Sequence, residues 1–226
     1  WAVLLWGALD MDHPLAQLTM PDSPEWRGAN LLAVVVMWTV MMAAMMLPSA
    51  LPTLRAFVRL CLRSGERARA FAFVSAYLLV WPGFALLAPA TQWAAQARGW
   101  INPMVVSRSA AFSAALLLVA GLYQFSPLKA VCLARCRSPM AFLLGEWRPG
   151  LRGALAMGLR HGLFCVGCCW ALMGLLFVGG AMNLPWVLAL ALLVAVEKLA
   201  PGGERIATGL GIVLLAAGLW KLAVLW

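Results

Sequence analysis

From Gly153 to Met182, thirty residues run with a single charged side chain, Arg160. A stretch that long and apolar has few conformations open to it, because away from water every backbone N–H and C=O must find its partner within the segment. A helix does this, and about 20 residues of helix cross the hydrocarbon of a bilayer. The stretch has company. The chain is 64% hydrophobic and 11% charged, with a mean hydropathy of +0.90, the composition of a polytopic membrane protein. Its 226 residues hold about six or seven spans with short loops and leave no room for a separate soluble domain. An all-α helical bundle forming one transmembrane domain over residues 1–226 is therefore predicted.

Pro, Gly and charge clusters divide the chain. Trp1–Leu9 is too short to span and reads as the end of a first helix that lacks its N-terminal half. Asp10–Arg27 is a polar loop, and Asn30–Leu47 is a span predicted to stop or kink at Pro48 and Pro52. A short amphipathic continuation, Thr53–Leu62, precedes the next span at Ala70–Ala90, interrupted at Pro82 and Pro89. Trp93 and Trp100 follow as interfacial anchors. Met104–Phe125 spans again, Ser126–Arg152 is a basic connection, and Gly153–Met182 crosses back. After a tight Asn183-Leu184-Pro185 turn, Trp186–Leu199 and Ile206–Trp226 complete the set, seven spans with the truncated one included. No internal repeat is evident.

Charge orients these spans. Arg55, Arg59, Arg63, Arg67 and Arg69 follow Pro48, and Lys129, Arg135, Arg137, Arg148 and Arg152 fill the Ser126–Arg152 connection. The Asp10–Arg27 loop holds one arginine against Asp10, Asp12, Asp22 and Glu25, and the Asn183 turn is uncharged. Lys and Arg are retained on the cytoplasmic side. Basic and non-basic connections alternate accordingly, which puts the N-terminus inside and the C-terminus outside. The net charge of +9 is then a topology signal with attraction to anionic lipid headgroups. Nucleic acid is an unsuitable partner, since the basic residues are spread over membrane-edge loops.

Soft-metal ligand types concentrate in Gly153–Met182: Met157, His161, Cys165, Cys168, Cys169, Met173 and Met182. At about 100° per residue with His161 at zero, Met157 falls near −40°, Cys165 near +40°, Cys168 near −20° and Cys169 near +80°. Thiolate and thioether favour Cu(I), and imidazole suits Cu and Zn. One ion cannot be held by all of them, because His161 and Cys168 stand about 10.5 Å apart along the axis. Cys165 pairs with Cys168 or Cys169 plus a ligand from elsewhere, and His161 belongs to a neighbouring position on a relay. The competing reading is packing: cysteine is a small apolar residue, and Gly158, Gly162, Gly167 and Gly174 share the segment.

Three further groups carry weight. Met37, Met41 and Met45 form an i, i+4, i+8 row with Met42 and Met46 beside it, either as core packing or as thioether ligands facing the cysteines. Cys132-x3-Cys136 lies among Lys129, Arg135 and Arg137, on a side where a structural disulfide is not expected. The neighbouring cations favour thiolate, and the pair is a candidate two-coordinate Cu(I) dock, or two incidental cysteines. Glu197-Lys198 reads as an interfacial ion pair or as a proton acceptor linked to transport. Cys61 is incidental. His13, between Met11 and Met20, is a loop histidine or a weak entry site.

The run Met41-Met42-Ala43-Ala44-Met45-Met46-Leu47-Pro48, the segment from Leu128-Lys129 through Cys132 and Cys136-Arg137 to Pro139, and Gly162-x2-Cys165-Val166-Gly167-Cys168-Cys169-Trp170, followed by Met182-Asn183 and Glu197-Lys198, resemble the bacterial family of predicted metal-binding integral membrane proteins. That family includes a membrane copper chaperone that accompanies a tyrosinase. The resemblance runs from about Met37 to Leu199 and implies copper handling or copper delivery to an oxidase.

The combined expectation is a non-enzymatic, multi-pass protein of the bacterial inner membrane that binds Cu(I) and passes it to a copper enzyme. Its ligands are Cys165, Cys168 and Cys169, with Met41, Met42, Met45 and Met46 as thioether partners, His161 as a relay ligand and Cys132 with Cys136 as an inner dock. Two other classes fit the same residues: a non-catalytic accessory subunit of a larger membrane complex, and a transmembrane thiol exchanger. There is no Gly-x4-Gly-Lys-Ser/Thr loop, no His-Glu-x2-His and no Gly-x-Ser-x-Gly elbow to support nucleotide-driven or hydrolytic chemistry.

Overall fold

The computed structural model describes residues 13–21 and 25–224. The truncated first helix predicted at Trp1–Leu9, and Asp10, Met11, Asp12 and Asp22 of the first loop, lie outside the described residues. The elements that follow are helices: α1 Pro14–Leu18, α2 Gly28–Arg63, α3 Arg67–Ala85, α4 Leu87–Ala97, α5 Ala110–Gln124, α6 Pro127–Arg137, α7 Pro139–Gly145, α8 Gly150–Gly174, α9 Leu176–Gly179, α10 Leu184–Leu199 and α11 Gly203–Ala223. Apart from one isolated bridge between Ile101 and Ser107, no extended pairing occurs among the described residues.

Four stretches are long and apolar enough to cross a membrane: Gly28–Arg63, Arg67–Ala97, Gly150–Gly179 and Gly203–Ala223. A fifth arises if α5 and α6, bent by 67° at their junction, count as one broken span. The helix α10 has 16 residues and reaches about 24 Å, short of a full hydrocarbon crossing. Six or seven full-length spans are thus more than the described helices supply. Large apolar side chains such as Leu32, Leu79, Leu163, Val213 and Trp220 stand exposed along the outer faces, more than a water-facing surface ordinarily carries.

Three boundaries differ from expectation. The helix α2 does not end at Pro48: it continues through Pro48 and Pro52 to Arg63, taking in the amphipathic Thr53–Leu62 segment. Prolines are tolerated inside helices where neighbouring groups re-satisfy the backbone; the carbonyls left here without an i+4 donor are those of Ala44 and Pro48. The supposed loop Ser126–Arg152 contains α6 and α7. Both start on a Ser-Pro pair: Ser126 accepts from the Leu128 N–H and Ser138 from the Ala141 N–H, with proline in the first turn where its missing donor does no harm. Likewise the predicted span Met104–Phe125 becomes helical only at Ala110, capped by Ser109.

The bundle closes around α8, whose span is 56% buried against 22% for α11. α3 and α8 pack closely because α8 presents Gly158 and Gly162: a methyl at Gly158 would lie 2.3 Å from the Phe73 carbonyl oxygen, and one at Gly162 would lie 2.5 Å from a Val80 methyl. This is the small-residue contact that lets two helix backbones approach closely. α5 pairs with α11 in the same way across Gly121, Gly211 and Gly218.

A polar tie joins α10 to α5 and α6. Glu197 on α10 is buried and accepts from Lys129 Nζ at 2.7 Å and from Gln124 Nε2 at 2.9 Å, while Arg137 donates to its backbone carbonyl at 2.6 Å. The acid is therefore ion-paired, with Lys129, and in the interior rather than at an interface as expected.

Two consequences can be measured by unfolding in detergent. Gly158→Ala should destabilise by about 1–3 kcal/mol, since the added methyl meets backbone that cannot step aside. Gly209→Ala, with open space around it, should be neutral or stabilising by up to about 1 kcal/mol. Glu197→Ala should cost about 3–5 kcal/mol by stranding the Lys129 ammonium, and adding Lys129→Met should recover most of that loss.

Candidate metal centre

The sulphur atoms meet where α2, α6, α8 and α10 approach one another. α8 supplies Cys165, Cys168 and Cys169, all about 1% exposed. Cys168 and Cys169 follow Cys165 by three and four residues, so both thiols fold back onto its carbonyl, at 3.1 and 2.9 Å. From that turn, Cys168 Sγ faces Cys136 Sγ of α6 at 3.9 Å, and Cys169 Sγ faces Met46 Sδ of α2 at 3.5 Å. Cys165 Sγ points between Tyr77 of α3, whose hydroxyl is 3.5 Å away, and Lys198 of α10, whose ammonium donates to it at 3.0 Å. The same Lys198 Nζ lies 3.2 Å from Ser49 Oγ and 3.8 Å from Met46 Sδ.

The donor set suits a soft ion. With metal–sulphur bonds of about 2.3 Å, two sulphurs on one ion at an angle near 120° stand about 4 Å apart, and Cys136 and Cys168 already have that separation. Among the described residues no three His, Cys, Asp or Glu side chains gather closely enough to close around one ion. The cluster offers a thiol pair with a thioether beside it, short of the four ligands of a structural zinc site.

Placement of the remaining candidates is uneven. Of Cys136 and Cys132, expected together as an inner dock, Cys136 joins the cluster and Cys132, one turn earlier on α6, packs against Gly167, where an added methyl would meet its sulphur at 2.6 Å. Of the methionines expected to face the thiols, Met46 does so; Met41, Met42 and Met45 are buried with it along α2. Cys61 is also buried, near the end of α2.

His161 sits one turn before Cys165 in a cage of aromatic rings, with centroids 4.8 Å from Phe142, 5.5 Å from Tyr77 and 6.2 Å from Phe73. It is 1% exposed, and among the described residues neither ring nitrogen has a hydrogen-bond partner. A polar group so placed is expensive to bury. Tyr77 touches both the imidazole and the Cys165 sulphur, and so links the two.

Sequence reasoning did not find Lys198, Tyr77 or Ser49 as neighbours of the sulphurs. A signal for Lys198 existed. An ionisable residue at the end of an apolar run turns toward the bundle interior. Its direction was hidden because Glu197, one position earlier, accounts equally well for an ion pair.

No curated protein and no solved structure matches the chain. A family model described as PpoB2, copper chaperone, matches residues 35–221, which takes in the methionine row, both cysteine motifs and the Glu197-Lys198 pair, and the chain belongs to that copper chaperone family.

Proposed function

We propose that this protein is a multi-pass protein of a bacterial cytoplasmic membrane that holds Cu(I) at the sulphur cluster and hands it to a copper enzyme. The observation that carries this reading is the approach of Cys136 to Cys168 at 3.9 Å, with the Met46 thioether beside Cys169 at 3.5 Å. Copper is the cargo. Thiolates give it affinity, and thioethers bind it without needing deprotonation, a mild set from which a soft ion can be passed on.

Cys136 and Cys168 are the primary ligands in this reading, with Cys165, Cys169 and Met46 alongside. Met41, Met42 and Met45 continue a row of thioethers along α2. His161, with neither nitrogen hydrogen-bonded among the described residues, serves as a relay ligand one turn away; Tyr77 lies between it and the cluster. No part of this requires the chain to act as an enzyme. Thiol exchange, the second chemistry open to the same atoms, would draw on the same Cys136–Cys168 approach. The basic residues flanking the C-terminal end of α2 and the α6–α7 segment support an inside location for those loops, and hence an outside C-terminal end for α11.

Metal content and Cu(I) affinity of the detergent-purified protein test the assignment. After anaerobic loading, the parent should hold copper in stoichiometric amount, and the triple Cys165→Ser, Cys168→Ser, Cys169→Ser variant should hold none. Single replacements should separate the two cysteines of α6: Cys136→Ser should weaken Cu(I) binding by at least about tenfold, or 1.4 kcal/mol, and Cys132→Ser should leave it nearly unchanged. Loss of free thiols on oxidation, with no copper uptake in the parent, would favour exchange chemistry instead. Orientation is read with reporter fusions. A reporter active only outside the cytoplasm should be active when joined after Ala223 and silent when inserted at Ser138; the reverse pattern would invert the topology.

A further inference from the structure

Lys198 presents a problem that the copper reading alone does not solve. Its side chain is buried, with 3% of the residue exposed, and among the described residues no carboxylate pairs with it. The three ion pairs there join Arg69 to Glu66, Lys129 to Glu197 and Arg160 to Glu146. Glu197, its immediate neighbour, faces the other way and is committed to Lys129 and Gln124. An ammonium has three donors and no acceptor. Here they have three neighbours: Cys165 Sγ at 3.0 Å, Ser49 Oγ at 3.2 Å and Met46 Sδ at 3.8 Å. A buried cation is retained only where something balances its charge. Of these three neighbours only the Cys165 sulphur can carry a balancing negative charge, and it lies in the thiol cluster.

We propose that Lys198 sets the charge selectivity of the sulphur site, making it fit a monovalent soft cation and reject a divalent one. The inference rests on the cluster being the copper site. Two bound thiolates carry two negative charges, the Lys198 ammonium one positive charge, and Cu(I) one more, so the loaded site is neutral. A divalent ion on the same two thiolates leaves one uncompensated positive charge in a buried, low-dielectric place, which is strongly unfavourable. Softness of the donors does not make this distinction on its own, because thiolate binds zinc as well as Cu(I). Lys198 is a positioning and specificity residue here. It need not touch the ion; it needs to remain charged beside the thiolates.

The test is a set of full-length variants purified in detergent and titrated anaerobically with Cu(I) and with Zn(II) against chromophoric chelators. In the parent, Cu(I) should bind far more tightly than Zn(II). Lys198→Met removes the charge and keeps an unbranched chain of similar length; it should weaken Cu(I), strengthen Zn(II), and shift the ratio of the two dissociation constants toward zinc by about a hundredfold. Lys198→Arg keeps the charge and should leave that ratio within about threefold of the parent. The sign should reverse when one thiolate is removed. In a Cys168→Ser background, Lys198→Met should strengthen Cu(I) binding, because one thiolate and one Cu(I) are already neutral. A lysine that merely supports packing would weaken Cu(I) in both backgrounds.

An unchanged selectivity ratio in Lys198→Met, or weaker Cu(I) binding on adding Lys198→Met to Cys168→Ser, overturns the proposal. If Lys198→Met does not fold, Lys198→Gln takes its place, since it keeps a donor for Ser49 and Cys165 without the charge; the same outcomes then apply. A folded parent that takes up no Cu(I) refutes the copper assignment itself and this inference with it, whereas a parent that binds Cu(I) with variants of unchanged selectivity refutes only the role of Lys198.

Discussion

Two adjacent charged residues at the end of α10 are withdrawn from the surface and turned in different directions. Glu197 reaches α5 and α6 through Gln124 and Lys129, and Lys198 reaches α2 and α8 through Ser49, Met46 and Cys165. Consecutive residues on a helix point about 100° apart, so one short element can address two neighbours in this way. Burying either charge without its partners carries a penalty of several kcal/mol. The arrangement therefore holds only when α10 has one rotation and one depth relative to the four helices these two side chains reach. Apolar packing alone would tolerate sliding by a turn; these contacts do not.

The sulphur cluster inherits its geometry from that constraint and from the glycines. Gly158 and Gly162 let α3 come up against α8, which places the Tyr77 hydroxyl on Cys165 and the Tyr77 ring on His161. Gly167 opens room for Cys132, and so seats α6 where Cys136, one turn further on, meets Cys168. The residues that read as packing and those that read as ligands are in this sense not alternatives. Small residues on α8, Gly158 and Gly162 toward α3 and Gly167 toward α6, allow the close approach that brings other helices to its cysteines.

The helical architecture and much of its punctuation were legible in the residues. Length and apolarity point to helices because unsatisfied backbone is costly away from water, and the cysteine turn on α8 follows from i, i+3 and i+4 spacing. Other features were legible but outweighed. Ser126-Pro127 and Ser138-Pro139 are helix starts by cap and first-turn chemistry, yet the surrounding arginines made the segment read as a loop. Pro48 and Pro52 read as a stop because a proline removes a donor, and whether neighbours make good that loss is a tertiary matter.

What the amino-acid order determines by itself is composition, period and local spacing: that the chain is helical, that three thiols lie within five residues of one helix, that methionines line one side of another, and that a glutamate and a lysine stand side by side. Partnership between elements distant in sequence is decided only by the fold. That Cys136 rather than Cys132 meets Cys168, that Met46 is the thioether beside Cys169, and that Lys198 turns to the sulphurs while Glu197 turns to Lys129 all depend on helix rotation and depth. Local periodicity leaves those two quantities free. They are settled by where glycines permit close approach and by the need of each buried charge for a partner.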